Sequence, residues 1–272
     1  MERIHKALEK AREQRNRTGN KPQPRAGGKT NYVTAAAVQE IKYTQTQTVE
    51  ISQQLLKQNR VVAHLKDNET ADLFKILRTK VLQRMSINGW NMLAVTSPTA
   101  GVGKSLTAVN LAISLAMEGN HSVLLADLDL RRPNIHHYFG ISSPKGIVDY
   151  FTDDAPINEL FINPSIERLV LLPAGKPIRQ SSELLATPKM LNLVNELKNR
   201  YSDRLIIVDL PPLMSSDDAM VFLPYVDACL LVVAEGLTTN PEIERSLQLI
   251  EEKKYLGSVL NKSAEIWSPA AY

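Results

Sequence analysis

Lys104 and Ser105 close the run Ala100-Gly101-Val102-Gly103 just before a long apolar stretch, an arrangement suited to holding a polyphosphate. Glycines let the backbone curl so that amide groups face phosphate oxygens, and a helix opening there adds the positive end of its dipole. A lysine at 104 reaches the β- and γ-phosphates of a nucleoside triphosphate, and a hydroxyl at 105 is a ligand for Mg²⁺. Pro98 replaces the first glycine of the strict G-x-x-x-x-G-K-[ST] pattern. The flanks carry the assignment: residues 92–96 suit a short β-strand, and an apolar helix reaches about Met117.

A phosphate pocket also needs acid for its cation, and two further stations supply it. Residues 123–126 read as a buried strand, with Asp127 and Asp129 two apart at its C-terminal end. Alternation along an extended chain aims both carboxylates to one side. Such a pair is costly unless a cation or proton shares the site, which suits Mg²⁺ or a general base. Residues 205–208 form a second apolar strand ending in Asp209, after which Pro211 and Pro212 force the chain out of the sheet. The C-terminal edge of an open α/β sheet is where ligands bind.

The remaining pattern supplies the elements that position these residues. Residues 69–85 read as a helix with Leu73, Ile76, Leu77, Val81 and Leu82 on one face, ending near Gly89. Further along, the pattern predicts a strand over 168–172, a helix over 182–200, a short helix over 217–224 and a buried strand over 228–234. Asn240 caps and Pro241 opens a helix expected to run through Lys254, and residues 255–260 close the sheet. Apolar strands alternating with helices indicate an α/β fold: a mostly parallel P-loop sheet with helices on both faces, preceded by a flexible N-terminal extension. The expected divisions are a basic amphipathic helix over 1–18, a flexible linker over 19–60, a P-loop domain over 61–262 and a mobile tail over 263–272. Within the linker, residues 44–50 alternate weakly enough to suggest an edge strand.

Composition narrows the classes. The 272 residues are 43% hydrophobic and 22% charged, ordinary for a globular enzyme. No run of about 18 apolar residues suggests a membrane span, and no signal-peptide core follows the basic start. The single cysteine, Cys229, lies in an apolar run and reads as an inert core thiol, so the chain suits a reducing compartment. Residues 1–30 hold nine Lys/Arg against three Glu, a balance of +6, so the rest must sum to −3 to give the net +3. A basic arm on a mildly acidic body points to tethering rather than nucleic-acid binding. Ile4, Ala7, Leu8 and Ala11 give that arm one narrow apolar stripe for docking on a partner.

Together these motifs make the chain resemble the bacterial tyrosine kinases of capsule and exopolysaccharide export, relatives of the MinD and ParA group of P-loop ATPases. The family's D-x-D-x-R is matched by Asp127, Asp129 and Arg131, and its D-x-P by Asp209 and Pro211; residues 171–190 look like its linker into the next helix. The resemblance runs from about residue 61 to 262. Thr99 stands where MinD and ParA proteins carry an extra lysine, which favours the kinase branch. Departures are Val102, where the family often has glutamate, and a tail with one tyrosine, Tyr272, in place of a cluster. The oligomerisation motif E-x-x-R-x-x-R reads here Asp72, Lys75, Arg78, and lysine lacks arginine's bidentate fork.

The resemblance implies an ATP- and Mg²⁺-dependent protein-tyrosine autokinase that regulates exopolysaccharide polymerisation and export. Residues Ala100, Gly101, Val102, Gly103, Lys104, Ser105 and Leu106 are expected to hold the nucleotide, with Asn261 near its base. Ser105, Asp129 and Asp209 are expected to hold Mg²⁺. Asp127 is the expected acceptor of the tyrosine proton, with Asp129 left open as the alternative, and Arg131 is expected to stabilise transferred charge. Tyr272 is the expected phosphoacceptor, since Tyr150, Tyr201, Tyr225 and Tyr255 adjoin apolar segments and read as packed. The implied partners are a second copy of the chain, through Asp72, Lys75 and Arg78, and a membrane chain-length determinant or polysaccharide co-polymerase that recruits a cytoplasmic protein to the membrane's inner face. The alternative keeps the fold but makes the protein an ATPase switch of that co-polymerase, with water as the only acceptor.

Overall fold

A computed structural model describes residues 46–201 and 203–264, all within a compact unit that begins at Glu40. The expected N-terminal helix, most of the linker and Tyr272 lie outside the described residues. The chain runs β1 (Gln47–Thr48), α1 (Gln53–Gln58), α2 (Glu69–Asn88), β2 (Met92–Thr96), α3 (Lys104–Ala116) and β3 (Ser122–Asp127). It continues through α4 (Ile135–Tyr138), α5 (Ile147–Thr152), β4 (Ile162–Asn163), β5 (Leu169–Leu172), α6 (Ser181–Leu185) and α7 (Pro188–Asn199). The last elements are β6 (Arg204–Asp209), α8 (Asp218–Phe222), β7 (Ala228–Ala234), α9 (Asn240–Leu249) and β8 (Tyr255–Asn261).

The strands form one sheet in the order β1-β4-β5-β3-β6-β2-β7-β8, parallel throughout except where β4 meets β5. Central strands β2, β3 and β7 are buried along their whole length, as near-continuous apolar runs require when helices cover both faces. Alternation divides them between two cores. Met92 and Ala94 of β2 join one cluster with Leu124, Ile206 and Phe222, whereas Leu93 and Val95 join the other with Leu111, Leu125 and Ile207. In the second core α3 is apolar nearly all round, because α2 covers its far side. Asn110, midway along it, is satisfied there: its Oδ1 accepts from Val62 and Ala63 amides at 2.8 and 2.9 Å.

Register brings the acids together. β3 pairs with β6 so that Asp127 lies opposite Asp209, and β2 pairs with β6 so that Val95 lies opposite Asp209. The phosphate loop and both acidic strand ends therefore meet on one sheet edge.

The structure differs from the sequence-based expectation in several places. The edge strand expected over 44–50 is β1, parallel to β4, but the residues after it are not linker: α1 follows, and its Leu56 is buried in the second core. The helix expected over 182–200 is two helices, because Pro188 cannot donate within a helix and Thr187 instead caps a new one, accepting from Met190 N. The helix from 240 is capped by Thr239 in a box with Glu242, not by Asn240, and stops at Leu249, where Ile250 turns extended and is buried. Tyr150, Tyr225 and Tyr255 pack against the first core, but Tyr201 is 42% exposed, with the Arg204 guanidinium 4.0 Å from its ring centre. Cys229 is the expected core thiol, pushed up to about 12 by burial. Among the described residues no helix is long and apolar enough to cross a membrane.

Candidate active site

β2 delivers the chain to the sheet edge, and the next residues are fixed from both sides. Leu213 and Met214 amides donate to the Ser97 and Pro98 carbonyls at 2.8 and 3.1 Å, so the segment after Asp209 runs along the start of the phosphate loop. Gly101 and Gly103 take φ of 81° and 94°, a region open to glycine and strained for other residues. A Cβ at Gly103 would lie 2.1 Å from Asn261 Nδ2, so the end of that side chain would have to move off the loop. Gly103 caps α3, leaving the first amides of that 13-residue helix facing outward without helical partners. A buried apolar helix opening on a glycine loop is an anion site.

The expected phosphate lysine is held by the acids. Lys104 is almost fully buried, with Nζ 2.8 Å from Asp209 Oδ1, 3.4 Å from Asp129 Oδ2 and 3.2 Å from Ser105 Oγ. Burial works against its charge, but Asp209 and Asp129 outweigh that and raise its pKa. Asp209 is wholly buried; burial raises its pKa while the Lys104 ammonium opposes the rise. Its second oxygen, Oδ2, is buried with no hydrogen-bond partner.

Asp127 does something other than what its position suggested. It is fully buried and accepts from the amides of Asp129, Asn134 and Ile135 at 3.2, 3.0 and 3.0 Å. Burial, with Asp209 adding to it, pushes its carboxyl up to about 7. Both oxygens are thus committed to fixing the loop over 128–135, and Asp127 does not line the cleft. Asp129 does, at the mouth of the same loop. Of the two carboxylates expected to compete for the tyrosine proton, Asp129 lines the cleft and Asp127 holds the loop beneath it.

The cleft has a volume of about 720 Å³ and is lined by the phosphate loop, the 129–134 loop, Tyr138 and the segment from Pro211 to Ser216. Burial raises the Tyr138 phenol. Arg131 stands on the wall with its side chain 40% exposed. Its guanidinium grips Asp218, Nε to Oδ2 at 3.1 Å and Nη2 to Oδ1 at 3.2 Å, and Nε also reaches Ser181 Oγ at 2.9 Å. Asp218 is fully buried and also accepts from the Ser181 hydroxyl at 2.6 Å. Arg131 is thus anchored at the cleft by two residues from distant helices. Its pKa is raised, first by the Asp218 hydrogen bond.

Asn261, expected near a base, donates Nδ2 to the Val102 carbonyl at 2.8 Å, and Lys262 Nζ reaches the Gly101 carbonyl at 2.7 Å. The end of β8 therefore clamps the loop. Leu106 is half-buried in the first turn of α3 and packs against the second core. Of the three residues expected to mediate oligomerisation, Asp72 and Lys75 are exposed and paired at 2.7 Å, whereas Arg78 donates to the Ser114 carbonyl at 2.9 Å within its own chain. Sequence reasoning missed Asp218, Ser181 and Tyr138; the Asp217-Asp218 pair after the double proline was the available signal.

The donor set fits a phosphate-bound divalent cation. The unpartnered Asp209 Oδ2, the Ser105 hydroxyl and Asp129 supply oxygens, and an orphaned buried acceptor calls for a cation or its water. Among the described residues no group of three or more His, Cys, Asp or Glu is arranged to hold an ion. A magnesium ion here would draw its other ligands from phosphate and water, its usual preference.

Comparison with known proteins shows the family. The AAA domain family matches residues 90–255. The putative tyrosine-protein kinase CapB of Staphylococcus aureus is 29% identical over 194 residues, 71% of this chain and 84% of that protein. The tyrosine-protein kinase CpsD of Streptococcus agalactiae serotype Ia is 30% identical over 200 residues, 72% of this chain and 84% of that protein. Other matched tyrosine-protein kinases are much longer, and the chain spans only 27% of one such relative. The solved kinase domain of Escherichia coli tyrosine kinase ETK superposes with a TM-score of 0.66 at 28% identity, covering 82% of this chain and 92% of that one.

Proposed function

The chain belongs to the AAA-domain P-loop ATPases and, among them, to the bacterial tyrosine-protein kinases, and from that premise we propose that it is an ATP- and Mg²⁺-dependent autokinase serving capsule or exopolysaccharide export. One observation carries the reading: the buried Lys104 held between Asp209 and Asp129 at the mouth of a glycine loop that opens α3. Phosphoryl transfer asks mainly for positioning and charge stabilisation, and these residues offer both.

The amides of residues 101–106 would cradle the phosphates, and Lys104 would exchange its carboxylate partners for β- and γ-phosphate oxygens. Mg²⁺, when bound through Ser105 and Asp209, would neutralise phosphate charge. The tyrosine proton would pass to a carboxylate of the 127–129 stretch: Asp129 lines the cleft and also faces the cation, while Asp127 holds the loop that carries it. Arg131, gripped by Asp218, stands ready at the wall to meet negative charge on the transferred group. Asn261 would act on the base side by holding the loop's Val102 carbonyl. Tyr272 remains the proposed acceptor, phosphorylated by another copy of the chain, with exposed Asp72 and Lys75 available for copy-to-copy contact.

The basic N-terminal arm suits docking on a membrane co-polymerase, which would bring the kinase to the inner face of the membrane. Incubating the purified chain with ATP and Mg²⁺, and locating phosphate by peptide mass spectrometry, tests the proposal. Phosphotyrosine absent from a Lys104→Met control is expected; phosphate release with no phosphotyrosine would leave the ATPase switch instead.

A further inference from the structure

α4 is a single turn of helix, yet it is fixed at both ends. At its start, Asp127 Oδ2 accepts from the Asn134 and Ile135 amides, each at 3.0 Å. At its finish, the Asn59 side chain donates from Nδ2 to the His137 and Tyr138 carbonyls, each at 3.1 Å. Leu55 of α1 closes on the turn that follows: a Cβ at Gly140, where φ is 67°, would lie 2.2 Å from Leu55 Cδ2. Asn59 sits beside a second anchor, because the Arg60 carbonyl accepts from Asn110 of α3 at 3.2 Å. Residues 59–63 therefore tie the helix that carries Lys104 to the helix on the cleft wall. One turn of helix has too few bonds of its own to stay in place, so these anchors decide where its side chains stand.

Two of those side chains, His137 and Tyr138, line the cleft. Tyr138 is half-buried, with its ring packed on the second core. Burial raises its pKa first; the Asp209 carboxylate adds to the rise and the Lys104 ammonium opposes it. The phenol thus lies in the field of the pair that awaits phosphate, away from Asn261 on the base side. A phenol titrates near 10 when free, so this one is a neutral donor at working pH. The terminal phosphate of a nucleoside triphosphate spreads its charge over three oxygens, more than one lysine can meet.

We propose that Tyr138 donates a hydrogen bond to the terminal phosphate of the bound nucleotide, and that Asn59 is the positioning residue that holds it there through α4. The proposal rests on the nucleotide-binding part of the reading above. It makes the stretch after α1 part of the site, although Asn59 lies 79 positions before Tyr138 in the chain.

Equilibrium binding of ADP and of a non-hydrolysable ATP analogue to the full chain, with Mg²⁺ present, tests it. Tyr138→Phe keeps the ring and its packing, so only the hydroxyl is lost. It should weaken the analogue about tenfold, the low end for a hydrogen bond to a charged group, and leave ADP within about twofold. Asn59→Ala should weaken the analogue about fivefold, and should add nothing in a chain that already carries Tyr138→Phe. The Asn59 bond to His137 is exposed, so water can replace it, and thermal unfolding without nucleotide should show a folded variant. Equal loss of both nucleotides in Tyr138→Phe, or no loss of the analogue, overturns the proposal and leaves the site standing. Additive losses in the double variant overturn the role of Asn59. A parent chain that binds neither nucleotide would refute the site, and the proposal with it.

Discussion

Replacing Lys104 with methionine should cost stability as well as activity, and the stability loss should depend on pH. Lys104 Nζ lies 2.8 Å from Asp209 and 3.4 Å from Asp129, and Asp127 sits opposite Asp209 in the β3–β6 register. Methionine keeps the aliphatic stem, so little packing is lost. The charge is what goes, leaving a fully buried carboxylate unmatched. Removing one member of a buried pair costs about 3–5 kcal/mol. At about 2–4 °C per kcal/mol for a domain of this size, the midpoint of thermal unfolding should fall by roughly 6–20 °C.

Protonation offers Asp209 a way out. Burial already raises its pKa, and loss of the lysine, which opposes that rise, lifts it further. A carboxyl whose folded pKa exceeds its unfolded value of about 3.9 costs stability increasingly as pH climbs above the unfolded value, and the full cost appears only above the folded one. The deficit of Lys104→Met should therefore be larger at the alkaline end of the protein's stable range than at its acid end, for example at about pH 8.5 against about pH 5.5. Thermal unfolding followed by circular dichroism at the two pH values, without nucleotide, measures it, and a phosphate-release assay shows whether ATP turnover is lost. A variant that melts with the parent at both pH values would refute the charge-clamp reasoning, and one that still turns over ATP would refute the site.

Three further outcomes are expected. Asp218→Asn keeps the shape but weakens the fork on Arg131; with Arg131 40% exposed and able to recruit water, the loss should stay near the low end of the roughly 1.5–3 kcal/mol for charged hydrogen bonds, read by urea unfolding. Gly103→Ala puts a Cβ 2.1 Å from Asn261 Nδ2 at a φ of 94°, so ATP affinity by equilibrium dialysis should drop by about tenfold or more. Deleting residues 1–18 should leave ATP hydrolysis within about twofold while reducing capture by the cytoplasmic segments of the proposed co-polymerase in a pull-down, as expected if the arm's charge and Ile4/Leu8 stripe serve docking.

What was legible in the sequence was whatever chemistry is written contiguously. The run from Ala100 to Ser105 reads as a phosphate loop because the strand, the glycines and the helix are adjacent in the chain, and the structure places them so. Asp209 was found because an apolar strand ends in an acid and two prolines. The D-x-D spacing puts Asp127 and Asp129 at a strand end but does not say which of them the following loop will use. The amides that Asp127 accepts from, those of Asn134 and Ile135, come from a turn that the sequence did not announce. The grip of Asp218 and Ser181 on Arg131 joins positions 50 and 87 residues apart, and only the packing of α6 beside α8 brings them together. The weak alternation over 44–50 was enough to suggest the edge strand β1, whereas the two-residue β4 carries too little periodicity to be read and exists because pairing with its neighbours stabilises it.

The central claim is that this cleft moves the γ-phosphate of ATP onto a tyrosine of another copy. A mixture of two variants tests it most directly: Lys104→Met, which cannot use ATP but keeps its tail, and Tyr272→Phe, which keeps its cleft but lacks the proposed acceptor. After incubation with ATP and Mg²⁺, peptide mass spectrometry should find phosphotyrosine at Tyr272 of the Lys104→Met chain, and none when that chain is incubated alone. Free phosphate accumulating in the mixture while Tyr272 of the Lys104→Met chain stays unmodified would contradict the account.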